Sequence, residues 1–213
     1  LIQSGIEAEE RHAAENLQNL IHAELHHRIK NMLATVGAIA DQSLRTATSI
    51  THARSAIDGR LAALARAHDL LTRSSWENAT FEGTVRSAIE PFDQGGGRFI
   101  VSGEDIRIAS SPVIALAMTL NELCTNTTKF GALSLPGGQV HLSWRMQGER
   151  FHLDWVESGG PPVPEPTRKG FGTRMITSLG QQLKGKVELV YGPDGFVYKL
   201  DVPVEALVAG LAG

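Results

Sequence analysis

Cysteine is nearly missing from this sequence. A single residue, Cys124, stands in a chain of 213, which excludes an internal disulfide framework and any four-cysteine zinc site. Proline is missing from residues 1 to about 75, and Gly37 is alone between Gly5 and Gly59, so little in that stretch interrupts a helix. No apolar run reaches the roughly 18 residues that a transmembrane helix needs. Charge of one sign is lacking too: 20 Lys and Arg against 23 Asp and Glu leave a net charge of -3 and a pI near 6.3. That balance argues against a protein held on nucleic acid by phosphate contacts. Disorder is equally excluded, because 42% of the residues are hydrophobic and 20% charged. The chain begins at Leu1 rather than Met and reads as a fragment or a processed chain, with any upstream segment outside it.

What is there divides in two by composition. The first part, to about residue 75, reads as long helices. Leu17, Ile21, Leu25, Met32, Val36 and Ile39 recur at steps of three, four or seven. A break falls at Ala47-Thr48-Ser49, where Ser or Thr suits the cap of a second helix carrying Ile50, Ile57, Leu61, Leu64, His68 and Leu71. Two such helices form a hairpin that cannot bury both apolar faces alone, so it is expected to pair with another copy or a partner. The second part carries short β-rich runs at 98–102, 139–145, 151–156, 186–191 and 196–202, with helical stretches at about 80–91, 112–130 and 172–183. This mixture predicts an α/β domain with a mixed sheet. The domain boundary is expected between Ser74 and Phe81: a helical domain over 1–78, an α/β domain over 79–205, and a small apolar tail from 206 to 213 that reads as frayed.

The densest polar cluster on a predicted helix is Glu24-Leu25-His26-His27-Arg28-Ile29-Lys30-Asn31. At about 100° per residue, an apolar stripe of Ile21, Leu25, Ile29, Met32 and Val36 places His27 on roughly the opposite side. His26 falls about 60° from Ile29 and about 20° from Leu33, so it leans toward the buried face. Glu24 and Asn31 share the face of His27. An exposed imidazole near a carboxylate is a plausible nucleophile, mostly neutral at pH 7. A surface histidine on a charged helix fits the same residues. A two-histidine metal site does not, since neighbours point about 100° apart.

In the second part, Glu122, Asn126 and Lys129 lie four and three residues apart on one helical run. An amide oxygen can ligate Mg²⁺, a lysine can neutralise phosphate, and a carboxylate can orient water or accept a proton. A solvated polar face reads the same way. Glu157 closes a strand, where it can accept a hydrogen bond from an exocyclic amine. Gly159 and Gly160 follow it and allow close approach of backbone to a flat base. A plain strand-ending turn is the alternative. Gly170-Phe171-Gly172-Thr173 opens a helix whose free N–H groups suit phosphate; alone, it is often just a turn.

Taken in order, these segments resemble the transmitter region of a sensor histidine kinase, of the HWE subfamily and its relative HisKA_2, over about residues 20 to 203. Residues 24–33 are similar to the phosphoacceptor box, with His27 in the phosphorylated position. Arg60, Leu64, His68 and Leu71 match the second dimerisation helix. Glu122, Asn126, Lys129 and Phe130 match the N box of the GHKL (Bergerat) ATP-binding fold, Trp155 and Glu157 the W-x-E element, and Gly170 and Gly172 the second glycine box. The subfamily's remaining histidine is replaced by Asn121.

The resemblance implies a helical hairpin, a four-helix bundle if dimeric, followed by a GHKL α/β sandwich. It implies ATP-dependent autophosphorylation of His27 and transfer to an aspartate of a response-regulator receiver domain. ATP and Mg²⁺ are the implied cofactors, with Asn126 on the metal, Lys129 on phosphate, and Phe130, Glu157, Gly159, Gly160, Gly170, Phe171, Gly172 and Thr173 around the nucleotide. The proton acceptor stays open, because Arg28 stands where other histidine kinases often carry an acidic residue: Glu122 is the better candidate on the nucleotide side, while Glu24, which could orient the imidazole, Arg28 and Asn31 support His27 and the regulator's docking. Residues 1–23 read as a linker helix from an upstream sensor. The only linker between Pro162 and Lys169 is 163–168, so the loop over the nucleotide is expected to be short. A homodimer, a cytoplasmic location, and no nucleic-acid or membrane contact in this segment complete the expectation. Two other readings fit the same motifs: a phosphotransfer scaffold with a silent nucleotide domain, and a GHKL ATPase in which Glu122 activates water.

Overall fold

In the computed structural model, the described residues are 2–73, 79–93, 95–166 and 170–208; within them, the side chains of 2–11, 13–15, 24, 28, 73 and 171 are outside the description. The proline-poor first part forms two helices. Helix α1 (Ile2–Thr46) runs without a break, and α2 follows as Ile50–Arg73. The connection falls where the cap residues predict it: Ser49 Oγ accepts from His52 N–H at 3.1 Å, satisfying one of the first-turn donors that a helix leaves open.

Two compact units make up the chain, residues 1–53 and 54–213, so the division falls inside α2. The composition-based boundary lies some twenty residues later, where the prolines and strands begin. In the first unit, the apolar stripe of α1 is open to solvent: Leu17, Leu20, Ile21, Leu25, Ile29 and Leu33 are all exposed. Among the described side chains of α1, only Ile39 and Ser43 are buried. His26 is a correction. It is exposed like its neighbours rather than tucked toward a core, because the stripe it leans toward is itself uncovered.

The second unit is built on a five-stranded sheet of β1 (Phe99–Gly103), β2 (Gln139–Gln147), β3 (Arg150–Ser158), β4 (Lys186–Gly192) and β5 (Gly195–Pro203). Spatial order is β1-β2-β3-β5-β4. The β1–β2 pair is parallel and the others antiparallel, which is the mixed sheet expected. Period-two alternation turns Val140, Leu142 and Trp144 of β2, Phe151, Leu153 and Trp155 of β3, and Phe196, Tyr198, Leu200 and Val202 of β5 into the core. Helices α3 (Phe81–Ile89), α4 (Ser110–Lys129) and α5 (Phe171–Gln182) contribute Phe81, Leu116, Leu120, Leu123, Ile176 and Leu179 to the same core. Thr80 caps α3 by accepting from Gly83 N–H at 3.0 Å.

The tail differs from expectation over residues 206–208. Leu207 is fully buried, and its carbonyl accepts from Ala109 N–H at 2.9 Å. A composition of small apolar residues suggests fraying, but one leucine with a place in the core pins the segment. Residues 209–213 lie outside the described set.

Candidate functional site

The inward face of β3 reads Phe151, Leu153, Trp155 and then Glu157, a carboxylate at an otherwise apolar position. Glu157 is only 4% exposed, so its oxygens need partners from the protein. Oε2 accepts from Ala132 N–H at 2.8 Å and Oε1 from the Trp155 indole N–H at 3.2 Å. The two residues of the W-x-E element are thus a donor and its acceptor, placed on one face by their spacing of two. Burial pushes the Glu157 carboxyl up from its ordinary 4.5, while hydrogen bonds from Ala132, Trp155 and Thr127 pull it back down. Gly131 is obligatory here, since a Cβ on it would fall 2.0 Å from Glu157 Oε2.

Helix α4 supplies the next side of the site. Phe130 N–H and Gly131 N–H both bond the Asn126 carbonyl, which ends the helix and turns the chain toward Ala132. Asn126 is half-buried, and Lys129 and Phe130 are exposed at this end. Across from it begins α5. Its N-cap, Gly170, makes no side-chain capping bond, so the first-turn N–H groups stay open to an anion. A Cβ on Gly172 would lie 2.9 Å from Glu122 Oε2 and 3.6 Å from Asn126 Nδ2. The N box and the second glycine box, far apart in sequence, are therefore in contact.

Between these elements lies a cleft of about 740 Å³. Asn126, Phe130, Gly131 and Glu157 line one side, and Gly170, Gly172, Thr173 and Ile176 the other. Val163, Pro164, Glu165 and Pro166 cover part of it, tied down where Val163 N–H donates to the Gly192 carbonyl at 3.1 Å. Tyr191 and Phe196 form an aromatic wall with ring centroids 5.1 Å apart. An apolar wall, one buried carboxylate and an open helix N-terminus together suit a flat base bearing a polyphosphate.

Six of the residues expected around a nucleotide line this cleft: Asn126, Phe130, Glu157, Gly170, Gly172 and Thr173. Gly159, Gly160, Glu122 and Lys129 do not. The two glycines pack against protein: a Cβ on Gly159 would meet the Gly137 carbonyl oxygen at 2.8 Å, and one on Gly160 the Ala132 Cα at 2.4 Å. Their smallness serves the turn beside the site. Glu122 is 3% exposed and held by Arg60 of α2, whose Nε and Nη2 donate to Oε1 and Oε2 at 2.7 and 3.0 Å. Asn121 is also buried, at 4%. The side chain of Phe171, and residues 167–169 of the covering loop, fall outside the described residues.

The aromatic wall was not read from the sequence, because Tyr191 and Phe196 look like ordinary strand residues until the β4–β5 hairpin brings them together. Arg60 was read only as part of a helix match. A lone arginine on an amphipathic helix gives no sign that its partner is 62 residues away.

In the first unit, the His27 ring is exposed on α1. Asn31 Nδ2 lies 3.4 Å from His27 Nδ1, as the spacing of four requires, whereas His26 Nδ1 faces its own partner, the His22 carbonyl, at 3.0 Å. The side chains of Glu24 and Arg28 are outside the described residues. Among the described residues, no group of three or more His, Cys, Asp or Glu is placed to hold a metal ion, and no helix is long and apolar enough to cross a membrane.

The sequence profile of the HWE histidine kinase family matches residues 24–105. A blue-light-activated histidine kinase of Brucella anthropi is 41% identical over 207 residues, covering 94% of this chain and 42% of that protein. One of Brucella ovis is 35% identical over 201 residues, covering 92% and 41%. The chain thus spans about two fifths of the length of these relatives. Among solved structures, the histidine kinase domain of the Erythrobacter litoralis blue-light activated histidine kinase aligns with a TM-score of 0.61 at 17% identity, over 82% of this chain and 84% of that one. A longer chain of the same kinase aligns at 0.63 and 20%, over 85% and 58%. At these identities the structural likeness shows the fold alone, a helical region followed by a mixed α/β domain.

Proposed function

We propose that this chain, a transmitter region of the HWE histidine kinase family, moves the γ-phosphoryl group of ATP onto His27 and from there onto an aspartate of a response regulator. The observation that carries the reading is the single cleft on which Asn126, Glu157, Gly170 and Gly172 converge. Glu157 offers an acceptor for the exocyclic amine of adenine, with its carboxylate already aimed by Trp155 and Ala132. The aromatic pair of Tyr191 and Phe196 gives the base an apolar surface, and the uncapped start of α5 receives phosphate oxygens. Lys129, at the last turn of α4, adds positive charge at the rim.

The half-buried Asn126 amide faces the cleft with a hard oxygen donor, which fits Mg²⁺ bound jointly with phosphates rather than in an all-protein cage. When bound there, the ion offsets charge on the phosphates. On α1, the Asn31 amide lies 3.4 Å from His27 Nδ1 and steadies the imidazole, whose neutral form keeps one ring nitrogen free of a proton. The ring nitrogen that carries no proton attacks the γ-phosphorus with its in-plane lone pair, a P–N bond forms, and the bond to the β–γ bridging oxygen breaks with its electron pair leaving on ADP. The proton on the other ring nitrogen, made acidic as the phosphoryl group is added, goes to a carboxylate, for which Glu122 is the candidate on the nucleotide side. Positioning and electrostatics supply most of the acceleration. The partner implied is a receiver domain docking on the exposed face around His27 and Asn31, with input from a sensor domain.

Incubation with γ-labelled ATP and Mg²⁺ tests this. The wild type is expected to incorporate label that is acid-labile and base-stable, as a phosphoramidate is. His27→Ala is expected to incorporate none while binding nucleotide with unchanged affinity. Equal labelling of the variant would overturn the assignment, and steady phosphate release without protein labelling would instead identify an ATPase.

A further inference from the structure

We propose that Arg60 is a latch that withholds Glu122 from the reaction while helix α2 holds its present position. The proposal rests on the kinase reading above and adds regulation to it. Glu122 lies on α4 one turn before Asn126, and Gly172 lies against both. Asn126 and Gly172 line the nucleotide cleft, yet Glu122 does not. The Arg60 guanidinium takes both carboxylate oxygens, at 2.7 and 3.0 Å, and the two side chains are only 11% and 4% exposed. A carboxylate in a two-point fork, with Gly172 closing its other side, is not presented to a proton from an incoming imidazole. Proton acceptance by Glu122 requires the fork to part.

Arg60 sits on α2, the helix that follows directly from the phosphoacceptor helix. Rotation or sliding of α2 moves the guanidinium, whereas Glu122 is fixed in α4 among the buried residues of the core. A buried ion pair of this kind adds little net stability because desolvation offsets its attraction, but it selects one arrangement strongly. That is the property a two-state switch needs, and a shift of α2 then biases the equilibrium between a held and a released carboxylate. Arg60 is a positioning residue in this scheme and touches no substrate.

The test compares initial rates of His27 labelling in the wild type, Arg60→Gln and Arg60→Lys, with nucleotide affinity measured in parallel on the same chains. With the released form at about a tenth of the population or less, as minor states commonly are, Arg60→Gln raises the initial rate on the order of tenfold at unchanged ATP affinity. Arg60→Lys, which keeps the charge but loses the fork, gives a smaller rise. Adding Glu122→Gln to Arg60→Gln cancels the gain, which a merely structural loosening would not do. A rate for Arg60→Gln equal to or below the wild type, with affinity retained, overturns the latch. If Arg60→Gln loses nucleotide binding through misfolding, the Arg60→Lys rate decides by the same criterion. A wild type that takes no label at His27 under any condition, with Arg60→Gln equally silent, refutes the kinase reading itself rather than the latch alone.

Discussion

Glu157 is the most costly side-chain choice on the inner face of the sheet. Its carboxyl is raised by burial above the ordinary 4.5, so the folded state holds its proton more tightly than the unfolded chain does. Stability from this group is therefore complete below about 4.5 and is lost as pH rises through the raised value. Glu157→Gln removes that loss. The wild type is expected to weaken relative to Glu157→Gln as pH goes from about 4 to 7, while the variant binds ATP less well because an amide replaces the acceptor. Paired thermal melts across that range, with calorimetric titration at neutral pH, check both; a stability difference independent of pH would count against a buried titrating carboxyl. At this scale the identities of Trp155 and Glu157 were legible, but their bond was not. Which oxygen the indole meets, and that Gly131 must lack a Cβ to make room, are facts of three dimensions.

At the scale of elements, the alternation in the strands and the capping residue Ser49 were legible because both are local: a period of two and a hydroxyl before a helix need no tertiary knowledge. Less was legible where a distant segment decides. Leu207 was read into a fraying tail, yet it fills the core beside Ala109. The glycines at 159 and 160 were read as room for a base; that a Cβ on either would also meet the 131–138 turn needed the fold to show. The N box and second glycine box kept the order that was expected, and α4 and α5 bring them together. Asn126 is the part of α4 that this contact leaves facing the cleft. Asn126→Ala is expected to erase the gain in ATP affinity that Mg²⁺ confers, on the order of tenfold or about 1.4 kcal/mol, with sheet and core intact. Equal titrations with and without chelator in the variant, against unequal ones in the wild type, are the sign to look for.

At the scale of the whole molecule, α1 leaves eight large apolar side chains in water among its described residues. An exposed stripe of that length on a helix is uncommon unless a second surface covers it, and a second copy of the hairpin would do so as a four-helix bundle. Sedimentation equilibrium is expected to give about twice the 22.9 kDa chain mass, falling to the single-chain mass when Ile21 and Leu25 are both replaced by Glu. A wild type that sediments as one chain would leave the stripe to a different partner. The α/β unit offers the opposite situation in its one thiol. Cys124 is fully buried in α4, and burial pushes its thiol pKa up, so an alkylating reagent meets neither a thiolate nor an open path to sulfur. Since no other cysteine competes, slow modification of the native chain counts the rare moments at which this helix comes away from its sheet. Nucleotide bound in the neighbouring cleft is expected to lengthen the wait between them in proportion to its affinity.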